Sequence, residues 1–422
     1  MRSDEKLTIT FWIYGLFDTC ENGIVHDCDR CIKEAVDRGF NCIRMESGAG
    51  LFAKPDGTPI DKVMLRRPFG RFSPMIRQMD YIAQDGEFDV RARLLEFFRA
   101  ADKHGVRIVL SSWFYLHTNW YLGEEINAPL FDLPTDEKIT YFGEELDRIL
   151  TFLRENNLLH CVAFAEIFNE FDGLPFAGEY DPTALSAEEA DHLRAVHEAA
   201  IDRLREHHPD VLFAYDSAVA DMREDLIPRN IDVLNFHNYY LWNVYQAFEK
   251  GAIINEATEP DLSPETAYFL RMKVTTAETA AEMGETIRTG AGWARRVRIY
   301  ADIDPEKLGE LEALLEKELA EKYDVFHDKL TRKTAMAVDV RDRIVPHAKL
   351  VMGEGVSYCA SQVLRFEENS DLFWKLIGEQ MKLLRGYDFY GTVVKTNCGP
   401  EDASWKLCPE RYVKANALFI GE

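Results

Sequence analysis

The sequence predicts an α/β fold, a (β/α)8 TIM barrel with a long, mainly helical insertion between its sixth and seventh strands. Two observations lead there. Apolar runs of strand length alternate with helical periodicity almost from end to end, the pattern of parallel strands covered on both faces. The runs lie at 7–15, 40–46, 106–113, 159–169, 211–217, 231–240, 349–358 and 389–397, and these eight are the number that closes such a barrel. At 422 residues and 46% hydrophobic the chain can bury one large core, so a single barrel domain over 1–422 is expected.

The helices between these strands carry ordinary end signals. VRARLLEFFRAADKHG (90–105) has apolar residues at helical spacing and stops on Gly105, as Gly39 stops the helix before the second strand. The helix over 186–208 takes Ser186 as its cap, Glu188 and Glu189 in its first turn, and His207 and His208 at its negative end. This reads the histidine pair as a cap rather than a metal site.

His237 and Glu354 fall on consecutive strands yet 117 residues apart, where a strand–helix unit takes roughly 31. The excess places the insertion at 241–304, followed by a helix from Asp304 to about Lys329. Leu308, Leu311, Leu315, Leu319, Tyr323, Phe326 and Leu330 share one stripe of that helix, which faces either the core or a partner helix. The connection 47–89, with WFYLHTNWYLG (113–123), is expected to wall a cleft.

Charge narrows the partners. Against 49 basic residues stand 73 acidic ones, a formal charge of −24 that repels phosphate backbones and anionic lipid, so neither nucleic acid nor a membrane surface is expected. No run approaches the roughly 18 apolar residues of a membrane span. Acidic residues precede the short apolar run of MRSDEKLTITFWIYGLF where a signal peptide would be basic, so it reads as a first strand and a cytoplasmic location is expected. Cys42, Cys161 and Cys359 lie in strand-like runs and behave as small hydrophobes. Cys20, Cys28 and Cys31, with His26, are the one zinc-like group, but Cys28 and Cys31 fall in a helical pattern and no second CxxC follows. No metal or cofactor is expected.

In a parallel barrel the C-terminal strand ends converge on the site. AFAEIFNEFDG (163–173) ends the fourth strand on Asn169-Glu170, and the seventh ends Gly353-Glu354-Gly355. Two carboxylates across one barrel mouth are what double-displacement glycoside hydrolysis requires: an acid/base and a nucleophile about 5–5.5 Å apart. Burial beside Phe168 and Phe171 would keep Glu170 protonated. Rival barrels lack their marks. A metallohydrolase wants a His-x-His near the end of strand one, and WIYGLFD has no histidine; glycine-rich phosphate turns are missing from YCASQ and NCGPEDA.

Arg44 on strand two, Asn169-Glu170 ending strand four, His237-x-Tyr239 on strand six, Glu354 ending strand seven and Trp405 after strand eight form an ordered set from Phe11 to Trp405. The set resembles the retaining (β/α)8 glycoside hydrolases of clan A, the cellulase-like superfamily. The resemblance implies a retaining β-glycoside hydrolase with Glu170 as acid/base and Glu354 as nucleophile. It also implies Asn169 on the sugar 2-hydroxyl, Arg44 and Tyr239 on the nucleophile, His237 along the same wall, and Trp405 as stacking platform.

Carbohydrate is the implied partner, as short oligosaccharides or small β-glycosides, and the insertion is read as capping the site or mediating self-association into a homo-oligomer. Trp113, with Trp12, Trp120 and Trp242, stands at or just past a strand end where a sugar can stack, while Trp374 sits on a helical stripe and reads as core. Glu166, four residues before Glu170, either forms a buried ion pair or points at the site. Arg44 has Glu46 as an alternative partner, and His237 has an interior role as its alternative. A non-catalytic sugar-binding barrel is the competing function, against which both carboxylates stand. One residue departs from the superfamily pattern: Phe171 follows Asn169-Glu170 where proline is frequent.

Overall fold

The computed structural model describes residues 5–18, 23–67, 85–114, 118–173, 180, 184–218, 222–249, 263–271, 299–357, 361–396 and 398–422. Eight parallel strands close a barrel in chain order: β1 (Leu7–Phe11), β2 (Cys42–Glu46), β5 (Arg107–Ser111), β6 (Val162–Glu166), β7 (Phe213–Ser217), β8 (Val233–Asn238), β9 (Lys349–Gly355) and β10 (Gly391–Val393). This is the predicted (β/α)8 barrel. Two further strands, β3 (Val63–Leu65) and β4 (Gly86–Phe88), pair antiparallel outside the barrel, within the connection 47–89. At three residues each they are too short to leave a periodic signal in the sequence.

The strands are shorter than the apolar runs that foretold them. The run 159–169 contracts to Val162–Glu166, and 389–397 contracts to Gly391–Val393. Burial explains the difference, because Ile167, Phe168, Val394 and Cys398 are buried outside the ladder. Apolar character reports burial, and here buried turns extend it past the hydrogen-bonded strand.

Around the barrel run α1 (Cys28–Asp37), α2 (Val90–His104), α3 (Glu124–Phe131), α4 (Thr135–Glu155) and α5 (Ala187–His207). Gly105 ends α2 in the left-handed conformation, φ 68°, that glycine adopts without a Cβ clash. Ser186 and Glu189 form a reciprocal capping box at the start of α5. At its other end His207 stands in the last turn and His208 is the C-cap residue, as expected, and both also reach Asp147 on α4, each at 2.9 Å, so the pair ties two helices together as well. Cys28 and Cys31 lie on the buried face of α1, where Cys31 Sγ donates to the Ile24 carbonyl. Cys20 and Cys359 lie outside the described residues.

Between β8 and β9 the described chain holds the short helices Trp242–Val244, Gln246–Glu249 and Pro264–Tyr268. Much of the expected insertion 241–304 lies outside the described residues. The single helix expected from Asp304 is two, Leu308–Glu321 and Tyr323–Ile344, broken at Lys322. Leu311, Leu315, Leu319, Phe326 and Leu330 are all buried, which settles the stripe as core-facing. Among the described residues no helix is long and apolar enough to cross a membrane.

Because Leu315 is fully enclosed, Leu315→Ala is expected to lower the unfolding free energy by about 2–5 kcal/mol, measured by urea denaturation. An unchanged midpoint would instead mark the stripe as an outward surface.

Candidate active site

The floor of the barrel mouth is polar where such barrels are ordinarily packed with branched apolar side chains. Period-two alternation sends Arg44 of β2, Glu166 of β6, Asp216 of β7 and Asn235 of β8 into the interior, all 2% exposed or less. Arg44 is the hub. Its Nη1 donates to Glu354 Oε1 (2.7 Å), its Nε to Glu166 Oε1 (3.1 Å), and its Nη2 to Glu166, Asp216 and Asn169 Oδ1, the last at 2.8 Å. Asn235 Nδ2 donates to Glu166 Oε2 (3.1 Å) and Asp216 Oδ2 (2.9 Å), bridging the two buried acids. Gly353 makes room for that amide, since a Cβ there would stand 2.3 Å from Asn235 Oδ1.

Glu354 follows on β9. Tyr239 Oη donates to its Oε2 at 2.6 Å, so both oxygens of the carboxylate are held, one by Arg44 and one by Tyr239. Thr396, just past β10, lies 3.3 Å from Tyr239 Oη and also accepts from Gly355 N at 2.9 Å. A register shift between Phe236 and His237 sets His237 opposite Glu354. The turn after the strand is tight: a Cβ on Gly355 would meet the Asn238 carbonyl at 2.8 Å, and Val356 is held at φ 72°, a region that a β-branched residue rarely enters. Val356 N donates to Asn238 O, and Leu241 N donates to Val356 O, clamping this backbone to the end of β8.

Glu170 is delivered by a different device. After β6 the chain is pinned by Asn169 N donating to Ser112 O, and Glu170 takes a left-handed backbone, φ 53°. Asp172 then anchors the following turn by accepting from Ser217 Oγ and from Ala218 N (2.8 Å). A proline at 171 would push its predecessor toward extended backbone. Phe171, fully buried against Phe168 and Tyr215, permits the left-handed setting.

His237 joins the two halves. Its Nδ1 lies 2.8 Å from Glu170 Oε1, and its Nε2 lies 3.0 Å from Asp216 Oδ1 and 3.6 Å from Glu354 Oε1. Oxygens of Glu170 and Glu354 and a nitrogen of His237 all lie within 4.8 Å of one another. Such a trio has the donors for a metal ion, but a ligating histidine must offer a nitrogen lone pair. Here carboxylate oxygens face both ring nitrogens, which suits an imidazole that donates. The Glu170 side chain is 24% exposed against 7% for Glu354, so the mouth opens on the Glu170 side.

Burial pushes the Glu170 carboxyl above its ordinary range, opposed by the His237 hydrogen bond. For His237 burial acts downward, yet Asp216 and Glu354 beside it hold the imidazole well above its ordinary value. Glu166 is pushed up to about 7 by burial, with Arg44 opposing and Asp216 adding to the rise.

The structure thus brings Arg44, Asn169, Glu170, His237, Tyr239 and Glu354 together. It does not bring Trp405. That indole is fully buried, packed on Phe40, Trp12 and Tyr412 with Arg38 over its face, and its Nε1 donates to Glu34 of α1. The chain past β10 leads with Lys395 and Thr396 and carries Trp405 into the helical layer, which corrects the expected stacking platform. Trp113 is corrected too: at 1% exposure its ring covers the Arg44 guanidinium at 4.7 Å, so it packs the hub rather than facing a sugar. Trp12 and Trp120 are fully buried, and Trp374 is half-buried against the core. Trp242 is half-buried at the mouth, edge-on to Tyr239 at 5.7 Å.

Three residues escaped the sequence reading. Asp216 stands one residue before the end of VLFAYDS, much as Glu170 stands one past the end of its own run, a carboxylate at the close of an apolar strand, and that signal was available. Asn235 precedes His237 by two and so shares its face. Thr396 gave no signal. Glu46, the alternative partner for Arg44, instead binds Trp113 N (2.9 Å), Gly48 N (3.0 Å) and Thr118 Oγ1, holding the loops after β2 and β5 together.

Burial lifts the Glu46 carboxyl from 4.5 to about 7 against these hydrogen bonds. A buried acid with a raised value keeps its proton where the unfolded chain has lost it, so stability falls as pH rises across that window. Urea melts between pH 5 and 8 are expected to show this fall, and Glu46→Gln to flatten it by about 1–3 kcal/mol. An identical slope in the variant would mean Glu46 titrates as an exposed acid.

The family model described as Cellulase-like, sugar-binding cellulase-like, matches residues 9–256, a span holding every residue of this site except Glu354 and Thr396. No curated protein matches. Among solved structures, the chain is similar to a protein from Parabacteroides distasonis ATCC 8503 provisionally named a glycoside hydrolase. The two are 16% identical, with 99% of this chain and 94% of the other covered at a TM-score of 0.65. It is also similar to a GH5-4 broad specificity endoglucanase from Bacteroides salanitronis, at 12% identity, 98% and 92% coverage and a TM-score of 0.51. At these identities the likeness is one of fold, and it agrees with the family match: the chain belongs to the sugar-binding cellulase-like family, built here on a (β/α)8 barrel.

Proposed function

We propose that the protein hydrolyses β-glycosidic bonds with retention of configuration, Glu354 acting as nucleophile and Glu170 as acid/base. The observation that carries this reading is the approach of the two carboxyl groups, with oxygens within 4.8 Å of each other. An inverting enzyme separates the pair by about 6.5–9.5 Å to seat a water between its general base and the sugar, whereas double displacement uses about 5–5.5 Å.

Opposed environments support the division of labour. Glu170 has a raised pKa and lies at the open edge, suited to protonate the glycosidic oxygen as the bond to C1 breaks. Glu354 is held on both oxygens by Arg44 and Tyr239, a fixed anion placed to bond C1. Glu170, now a carboxylate, takes a proton from the entering water, which displaces Glu354 and restores both groups. Asn169, steadied by Arg44, is assigned to the sugar 2-hydroxyl, a contact that strengthens as positive charge grows on the ring. Tyr239 and Trp242 supply the half-buried aromatic wall. Short oligosaccharides or small β-glycosides are the proposed substrates.

On a panel of aryl β-glycosides, Glu354→Ala is expected to abolish turnover and Glu170→Ala to lower kcat about 100- to 10,000-fold, with β-configured product seen first by NMR. Initial α product would overturn retention. Full activity in either variant would remove that residue from the mechanism, and a native protein inactive on every glycoside would favour a sugar-binding barrel.

A further inference from the structure

We infer that Asp216 is a positioning residue of the reaction: through His237 it fixes which group, the imidazole or Glu170, holds the proton between them. The inference rests on the reading of Glu170 as the acid/base.

The geometry isolates a single proton. The His237 side chain is wholly buried, and both Asp216 oxygens approach its Nε2, at 3.0 and 3.2 Å, so Nε2 carries a hydrogen. On the other side Nδ1 faces Glu170 Oε1 at 2.8 Å. A lone pair cannot face an ionised carboxylate at that distance without repulsion. Either Nδ1 is protonated and donates to an anionic Glu170, or Glu170 is protonated on Oε1 and donates to a neutral imidazole. The two forms differ only in where one proton lies along one hydrogen bond. The anion at Nε2 decides between them, because it stabilises imidazolium and not neutral imidazole.

Asp216 is equipped to remain that anion. Arg44 Nη2 and Asn235 Nδ2 both donate to it, and Glu166, bound to the same two donors, supplies the neighbouring carboxyl on which a proton can rest. The charged and titratable groups facing this line are Arg44 from β2, Glu166 from β6, Asp216 from β7, Glu354 from β9, and Glu170 and Asp172 from the turn after β6; Tyr239 packs edge-on to the imidazole. Burial would raise the Asp216 carboxyl, yet His237 and Arg44 hold it below its ordinary value, in keeping with a permanent anion.

This arrangement sets the alkaline limit of catalysis. Glu170 must be protonated to act as acid, and an imidazolium at its Oε1 strips that proton at lower pH. In the second half-reaction the same cation steadies the carboxylate. Replacing Asp216 by asparagine removes the anion that keeps the imidazole charged. Glu170 then donates to a neutral ring and keeps its proton to higher pH. The lost repulsion between Asp216 and Glu170 acts the other way but is smaller, since the two do not touch and the imidazole does.

The test uses 15N NMR of the histidine side chains in the intact protein, with His237→Gln to assign the signal, so it needs no substrate. At pH 7 the native His237 is expected to show two protonated nitrogens, and Asp216→Asn one. On a glycoside that the native enzyme turns over, the alkaline limb of kcat/KM is expected to move up by about one pH unit or more in Asp216→Asn, about tenfold in proton affinity. His237→Gln leaves Asp216 with Arg44, guards against failure of Asp216→Asn to fold, and is expected to move the limb in the same direction. The double variant is expected to move it no further than either alone. A neutral native His237, or a limb unmoved or lowered in both single variants, overturns the inference. A native imidazolium in a protein that hydrolyses no glycoside would leave the Asp216–His237 link standing and defeat the acid/base reading on which its catalytic role depends.

Discussion

One guanidinium holds the mouth of this barrel together. Arg44 stands inside a closed sheet, out of contact with water, and satisfies acceptors from β6, the turn after it, β7 and β9. A buried cation is costly to desolvate and persists only when its donors are matched by well-placed acceptors. Its five N–H groups form a rigid fork, so the acceptors are fixed relative to each other as well as to Arg44. Everything described at the site inherits that geometry. Phe11 and Trp113 close over the cation and keep it dry.

The same hub explains why the interior tolerates so many acids. Glu166, Asp216 and Glu354 share Arg44, and Asp216 and Glu354 also face His237. Two cations do not neutralise four carboxyls once Glu170 is included, so protons make up part of the difference, and the upward shift at Glu166 places one inside the cluster. An apolar layer in this position would be simpler to fold. It would leave no means of holding two carboxyls close together in different protonation states.

Much of this was legible in the sequence, for identifiable reasons. Strands covered on both faces must be apolar throughout, so eight runs could be counted and the strand ends located, and with them Asn169-Glu170 and Glu354. Arg44, His237 and Tyr239 were reached through the resemblance of their ordered set rather than through alternation, which a register shift interrupts just before His237. What failed were inferences needing the path of a turn. Trp405 comes ten residues after Lys395, and nothing local says whether such a segment crosses the mouth or folds back to the helices. Trp113 sits at a strand end, but its ring turns inward because an unshielded guanidinium lies below it. The break at Lys322 has neither glycine nor proline to announce it, and Asp216 was passed over because nothing in one strand's sequence shows that a histidine stands beside it on the next.

The left-handed backbone of Glu170 has a consequence for how the carboxyl moves. A residue with a Cβ at φ 53° sits in a narrow well, separated by eclipsed geometry from the broad basins on the other side of φ zero. Small displacements in this part of the map are stiff, and large ones require the peptide to turn over. The ends of the segment are nailed down by Ser112 on one side and by Ser217 and Ala218 through Asp172 on the other. Glu170 therefore behaves as a latch rather than a hinge: it is either in register with His237 or released altogether, with no continuum of half-engaged positions between.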